Sequence, residues 1–269
     1  KPPIRPRGRG SRLTPDSRFA PWDRASCDDG WDDGAEPDGD INKGPATTLI
    51  LDRARSVIVR NSSPDVPFSQ SINPYKGCEH GCAYCFARPG HAYLGLSPGL
   101  DFETRIAWKP DAPEVLRREL AAPGYRCLPV ALGINTDGWQ PVERQLGLSR
   151  RLLAVLAETR HPVSIVTKSA LIERDVDLLA DMARDKLVQV MFSITTLDPP
   201  LARKLEPRAA SPARRLTAMA ALHQAGVPVG VLFAPLIPAL NDHELERVLE
   251  AACKAGADTA GYVLLRLPH

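Results

Sequence analysis

The stretch Gly77-Cys78-Glu79-His80-Gly81-Cys82-Ala83-Tyr84-Cys85-Phe86 gathers three thiols on one short loop. Its Cys-x3-Cys-x2-Cys spacing supplies three ligands where a closed metal site takes four. Structural zinc closes with four protein ligands, and an ordinary iron–sulfur cluster is held by four cysteines. A centre held by three keeps one corner open, and an open corner is where chemistry happens.

Outward from this loop the chain alternates two patterns. Apolar, β-branched-rich runs at 129–136, 162–167, 188–194, 227–233 and 260–265 predict strands buried on both faces, and a short strand at about 70–75 precedes the cysteines. Between them, apolar residues recur at helical spacing. Examples are Leu148, Leu152, Val155 and Leu156, then Ile172, Val176 and Leu179, then Leu216, Met219 and Leu222, then Leu245, Val248, Leu249 and Ala252. Asn241 with Glu244, and Asp111 with Glu114, fit helix-start capping signals, and Gly256 fits a helix stop. Strand and helix thus repeat as βα units, six of them, where a closed (β/α) barrel has eight. The expected architecture is α/β: an open six-stranded partial barrel of parallel strands, with a doubly wound sheet as the alternative.

Either arrangement collects ligands at the carboxyl ends of its strands. Polar residues fall there: Asn135, Thr136 and Asp137 after the second strand, Thr167, Lys168 and Ser169 after the third, and Ser193, Thr195 and Thr196 after the fourth. Pro235 and Pro238 follow the fifth strand and Arg266 the sixth.

The chain has 269 residues with 43% hydrophobic and 25% charged residues, enough for a sizeable core. Residues 1–45 carry a basic block (Lys1 to Arg12) and then an acidic one (Asp28 to Asp40), and read as a disordered charged arm before a folded domain over 46–269. A net charge of +2 is too small to imply nucleic acid by itself. No apolar run reaches a membrane span and no signal-peptide pattern opens the chain. Three of six cysteines are clustered and three, Cys27, Cys127 and Cys253, are scattered. That is metal-site usage in a reducing compartment, so the expected location is the cytoplasm. Cys127 and Cys253 read as buried small apolar residues. Arg203, Lys204, Arg208, Arg214 and Arg215 form a basic cluster that reads either as a phosphate-binding patch for nucleic acid or as a solvated helix face.

The cysteine loop, with Tyr84 before its third thiol, resembles the cluster motif of the radical S-adenosylmethionine (radical SAM) superfamily. The strings INPYKGCEHGCAYCFARP, INTDGWQPVER, VSIVTKSAL, SITTLD with LEPRA after it, and GVLFAPLIPALND are similar to its DNA-repair-photolyase-like group, which includes spore photoproduct lyase. The resemblance implies a four-iron–four-sulfur cluster on Cys78, Cys82 and Cys85, with S-adenosylmethionine chelating the fourth iron. Reductive cleavage would then give a 5′-deoxyadenosyl radical that abstracts hydrogen from a substrate, nucleic acid among the candidates. It places Tyr84 and backbone near Ala234, Ile237 and Leu264 against adenine. It places Asn135, Thr136 and Asp137 at the methionine amino group, Lys168 at its carboxylate, and Ser193 and Thr195 at the ribose. It also implies an electron donor, flavodoxin- or ferredoxin-like.

Two departures stand out. Spore photoproduct lyase has a hydrogen-donating cysteine near the second strand, where this chain reads Gly133-Ile134-Asn135-Thr136-Asp137. Relatives continue beyond the sixth strand, so a C-terminal segment is expected to be missing after His269. The competing reading is a zinc-stabilised nucleic-acid-binding module without catalysis, its metal held by Cys78, Cys82, Cys85 and either His80 or His91. A third is a barrel that keeps its cluster only as structure.

Overall fold

The computed structural model describes residues 46–64 and 66–266; the arm expected over 1–45, and Cys27 within it, lie outside the described residues. Ten strands run β1 (Thr48–Leu51), β2 (Ile58–Arg60), β3 (Gln70–Ile72), β4 (Tyr75–Lys76), β5 (Arg105–Trp108), β6 (Val130–Leu132), β7 (Val163–Thr167), β8 (Val188–Ser193), β9 (Val229–Leu236) and β10 (Thr259–Leu264). Eight helices are interleaved: α1 (Asp101–Thr104), α2 (Ala112–Leu120), α3 (Glu143–Leu146), α4 (Leu148–Glu158), α5 (Val176–Arg184), α6 (Pro199–Leu205), α7 (Pro212–Gln224) and α8 (Leu245–Lys254).

The main sheet has the order β10-β9-β8-β7-β6-β3-β2. Six strands, β3 and β6 to β10, are parallel and adjacent in chain order, as the periodicity predicts. The order never reverses, so the doubly wound alternative does not apply. The edges β2 and β10 do not pair, which leaves the sheet open.

All the crossover helices lie on one face. Val163, Ile165, Val188, Val190, Phe192, Val229, Val231 and Phe233 share that face by register and are buried. They pack against Leu152 and Leu156 of α4, Leu179 and Met182 of α5, Met219 and Leu222 of α7, and Val248 of α8. Each such side chain contributes about 1.5–3 kcal/mol on burial. The alternate row, Ser164, Val166, Gln189, Met191, Leu232 and Ala234, is only partly buried. The expectation of strands covered on both faces is therefore corrected: helices cover one face, because every crossover returns on the same side. On the other face Gly230 is required, since a Cβ there would lie 2.5 Å from Met191 Sδ and 2.7 Å from the Thr259 carbonyl.

The last strand departs further. Tyr262, Val263 and Leu264 of β10 are 66%, 41% and 56% exposed, because this strand is an edge with no helix packed over it among the described residues. Two elements have no counterpart in the sequence reading. The edge strand β2 runs antiparallel to β3, and a small sheet β1-β5-β4 stands beside the cysteine loop. Both are built of strands of two to four residues, too short to show a period.

Helix α2 begins where expected, but Asp111 makes no side-chain cap hydrogen bond. Asn241 does not cap α8 either. A 3-10 turn over Asp242–Glu244 intervenes, and the Asn241 amide is occupied by the Thr195 and Pro235 carbonyls at 2.7 and 2.9 Å. Gly256 follows α8 with φ +96°, as the stop signal requires.

Candidate cofactor site

Strand β4 leads straight into the cysteine loop. Gly77 takes φ +88°, and a Cβ there would meet the Phe102 carbonyl at 2.9 Å, so glycine makes the close turn possible. Cys78 N–H then donates to that same carbonyl at 2.8 Å. Behind the loop the Arg88 guanidinium donates to the Cys82 carbonyl at 2.9 Å, to the Pro98 and Gly99 carbonyls, and to the buried Glu103 carboxylate at 2.6 Å. The loop is thus clamped at its first and second cysteines.

Cys78 and Cys82 are buried, Cys85 is half-buried, and all three are free thiols. Burial pushes all three thiols up, Cys82 to about 12. Opposing this, the amides of Ala87 and Arg88 point at the Cys85 sulfur, and that of His80 at Cys78. Lys168 acts on Cys82 and Cys85 in the same sense. Sulfurs that are desolvated yet served by N–H donors and a nearby cation suit a cationic metal centre, which stabilises thiolate directly. Among the described residues no three His, Cys, Asp or Glu side chains converge closely enough to hold a single ion. Three thiols that each take a separate iron need no such convergence.

His80 does not turn toward a metal: its Nδ1 lies 3.4 Å from Asp137, and burial lowers its pKa, keeping it neutral. His91 is buried edge-on to Phe102, with no hydrogen-bond partner on either ring nitrogen.

The strand ends supply the rest. Asp137 accepts from Thr167 Oγ1 at 2.8 Å, from Lys168 N–H at 2.7 Å and from Trp139 N–H at 2.8 Å, binding the second strand end to the third. Its carboxylate is fully committed to protein groups. Thr136 donates to the Tyr75 carbonyl at 2.8 Å, whereas the Asn135 side chain is exposed on the rim. Lys168 Nζ donates to Ser193 Oγ at 3.0 Å and stands 5.8 Å from the centroid of the Tyr84 ring. Ser193 and Thr195 both reach the Ala234 carbonyl, at 3.1 and 3.2 Å. Ile237 N–H is taken by Asn241 Oδ1 at 2.6 Å, and Leu264 pairs with Leu236 at the end of β9. The structure therefore brings Tyr84, Asp137, Lys168, Ser193 and Thr195 together beside the thiols, with Asn135 and Ile237 farther round the rim.

Several residues at this site escape the sequence. Tyr84 donates its hydroxyl to Glu206, which also accepts from Thr195 Oγ1 at 2.7 Å and from the buried Arg215. Burial pushes the Glu206 carboxyl up, but Arg215 and Lys168 outweigh it and hold the pKa at about 2. Arg215 reads in the sequence as part of a basic patch. In the fold it is 1% exposed, Arg214 pairs with Glu173, and Arg208 reaches Glu79 at 3.5 Å. Three of the five cations are spent on internal carboxylates, which leaves only Arg203 and Lys204 exposed without an ion pair among the described residues. Cys127 and Cys253 are exposed, not buried: one lies in the loop before β6, the other on the outer side of α8.

Comparison with known proteins bears on the fold and the family. An uncharacterized protein of Mycobacterium tuberculosis is 40% identical over 194 residues, 71% of this chain and 57% of its own length. An uncharacterized protein of Methanocaldococcus jannaschii is 26% identical over 173 residues, covering 64% of this chain and 62% of its own. The chain thus spans about 57% of the length of the mycobacterial relatives it matches. Among solved structures, a spore photoproduct lyase mutant with bound AdoMet and dinucleoside spore photoproduct superposes with a TM-score of 0.61 at 16% identity, over 81% of this chain and 62% of that one. Streptococcus suis SuiB bound to precursor peptide SuiA gives 0.53 at 18% identity, over 73% and 39%. These likenesses identify the open sheet as a partial barrel. The sequence profile of the radical SAM superfamily matches residues 72–252, more than half of the chain, and the protein belongs to that superfamily.

Proposed function

We propose that this protein is a radical SAM enzyme whose Cys78, Cys82 and Cys85 hold a four-iron–four-sulfur cluster with one iron left for S-adenosylmethionine. The observation that carries the reading is the placement of three free thiols at the carboxyl rim of the barrel, beside Lys168, whose ammonium donates to Ser193 Oγ. When bound and given one electron, these groups supply the cleavage of the sulfonium to methionine and a 5′-deoxyadenosyl radical, which takes a hydrogen atom from the substrate.

The chain's own part is binding and orientation. Lys168 suits the methionine carboxylate, because an ammonium held against Ser193 Oγ keeps donors free for an anion. Exposed Asn135 offers its amide at the amino group. Thr136 and Asp137, whose side chains are engaged by protein, shape that position instead of ligating. Tyr84 presents a ring that Glu206 fixes in place, against which adenine stacks, with the backbone near Ile237 on its other side. Ser193 and Thr195 line the ribose position.

The electron comes from a small donor protein of flavodoxin or ferredoxin type. Its approach is at Cys85, the least buried of the three loop thiols, next to Phe86, which is 58% exposed. Reduced thiols on the loop and free, exposed Cys127 and Cys253 fit a cytoplasmic location. No helix among the described residues is long and apolar enough to cross a membrane. A nucleic-acid substrate rests on the resemblance to photolyase-like proteins, since the basic cluster is largely consumed by internal ion pairs.

An anaerobic assay of reconstituted wild type and Cys82→Ala tests the reading. Wild type is expected to yield 5′-deoxyadenosine from S-adenosylmethionine under reduction, and Cys82→Ala none. Stoichiometric zinc without iron in wild type would establish the zinc-module reading instead, and iron with intact S-adenosylmethionine would leave the cluster a structural role.

A further inference from the structure

The segment Leu205–Arg208, between α6 and α7, lies along the cysteine loop. The Leu205 carbonyl accepts from Ala83 N–H at 2.9 Å, and Arg208 N–H donates to the His80 carbonyl at 3.2 Å. Arg208 also reaches Glu79 with its side chain. Main-chain contacts of this kind are enough to hold a loop, so the buried ion pair between them needs a separate reason.

Glu206 is 4% exposed and Arg215 1% exposed, and desolvating two charges is costly unless each is fully partnered. They are. Glu206 takes the Tyr84 and Thr195 hydroxyls on one oxygen and Arg215 on the other. Arg215 also donates from Nε to the Ala210 carbonyl and from Nη1 to the Ser193 carbonyl, each at 2.8 Å. Three protein donors hold the carboxylate, which makes it an anchor for Tyr84, Thr195 and Arg215. What it holds is the phenol that sits between the second and third thiols.

The pair also has an electrostatic consequence. Lys168 is the other cation acting on Glu206, but it is Arg215 that holds the carboxylate in direct contact. The ammonium is left with a serine hydroxyl and the face of Tyr84.

Resting on the radical SAM reading above, we propose that Glu206 and Arg215 are positioning residues for S-adenosylmethionine. Glu206 fixes the Cys82–Cys85 turn through the Tyr84 hydroxyl, and Arg215 keeps Glu206 from capturing Lys168, the cation that receives the ligand's carboxylate.

The test uses anaerobically reconstituted protein, with iron content measured first and the S-adenosylmethionine dissociation constant then read from the change in the reduced cluster's electron paramagnetic resonance signal. Arg215→Met frees the carboxylate and is expected to weaken binding about tenfold, the scale of one charge-assisted contact, at unchanged iron content. Adding Glu206→Gln to it removes the freed charge and is expected to restore part of that loss, a rescue that a merely structural role does not produce. Tyr84→Phe is expected to weaken binding with the same iron content, and it carries the test should Arg215→Met not fold. Wild-type affinity in Arg215→Met or Tyr84→Phe, or a double variant binding no tighter than Arg215→Met, would overturn the proposal. A wild type that takes up no iron, or whose signal ignores S-adenosylmethionine, would instead sink the reading on which it rests.

Discussion

Glu143 and Glu206 are buried carboxylates built to one pattern, each accepting from a tyrosine hydroxyl and an arginine guanidinium. Glu143 takes Tyr75 and Arg174, together with Ser149 N–H at 3.0 Å and Arg150 N–H at 3.3 Å at the start of α4. Beside it Asp175 accepts from Trp139 Nε1 at 2.8 Å and from the same two arginines. Every partner there belongs to the packing between β4, the segment joining β6 to α3, α4 and the turn before α5. Glu206 takes Tyr84 and Arg215, but its surroundings include three thiols and a lysine with no carboxylate of its own. The trio of side chains is the same, so its chemistry does not mark a site. What differs is a lysine without a carboxylate in contact and three free thiols next to one trio and not the other.

The largest effect that would break this comparison belongs to Glu143. Glu143→Ala leaves the Tyr75 hydroxyl and the Ser149 N–H without their acceptor and Arg174 with Asp175 as its remaining carboxylate, and is expected to cost about 1–3 kcal/mol for each buried group left unpaired in a denaturant titration. Iron uptake per folded molecule is expected to stay at the wild-type level. A selective loss of iron with unchanged stability would mean the two trios do not divide as described.

A smaller effect follows from pH. The Glu206 pKa falls from an ordinary 4.5 to about 2 in the fold, so between those values the unfolded chain binds more protons. The stability from this carboxylate is complete above pH 4.5 and is lost as pH falls toward 2. Acid titration of Glu206→Gln is expected to show a shallower loss across that window than wild type. Superimposable profiles would contradict the ionised, charge-compensated state. The smallest effect is expected at Cys127→Ser. The residue is exposed, so stability should change by no more than about 0.5 kcal/mol and iron content not at all.

Much of this was legible in the residues. The six parallel strands follow from apolar runs separated by helical spacing, and the cysteine loop stands out by its own spacing. The rest depends on contacts between distant residues. Arg215 looks like its neighbours Arg203 and Arg214, and only the approach of Glu206 converts it from surface charge to buried partner. Asn241 and Glu244 satisfy a capping pattern, yet Asn241 is drawn to the carbonyls at the ends of β8 and β9, and Glu244 to Thr196 and Leu197. Local preference of about 1 kcal/mol for a cap yields to several buried hydrogen bonds. The run 260–265 reads as buried because it is apolar, but burial needs a neighbour, and the edge of a sheet has one fewer. The cysteine loop carries its information locally, whereas the trio around Glu206 exists only after folding.

The central claim is that the three-thiol loop holds a cluster open to S-adenosylmethionine. Electron paramagnetic resonance of reconstituted, reduced wild type, recorded before and after S-adenosylmethionine is added, tests it most directly. A reduced-cluster signal that changes on addition is the predicted result. No iron-dependent signal, or one that S-adenosylmethionine leaves unaltered, would contradict it.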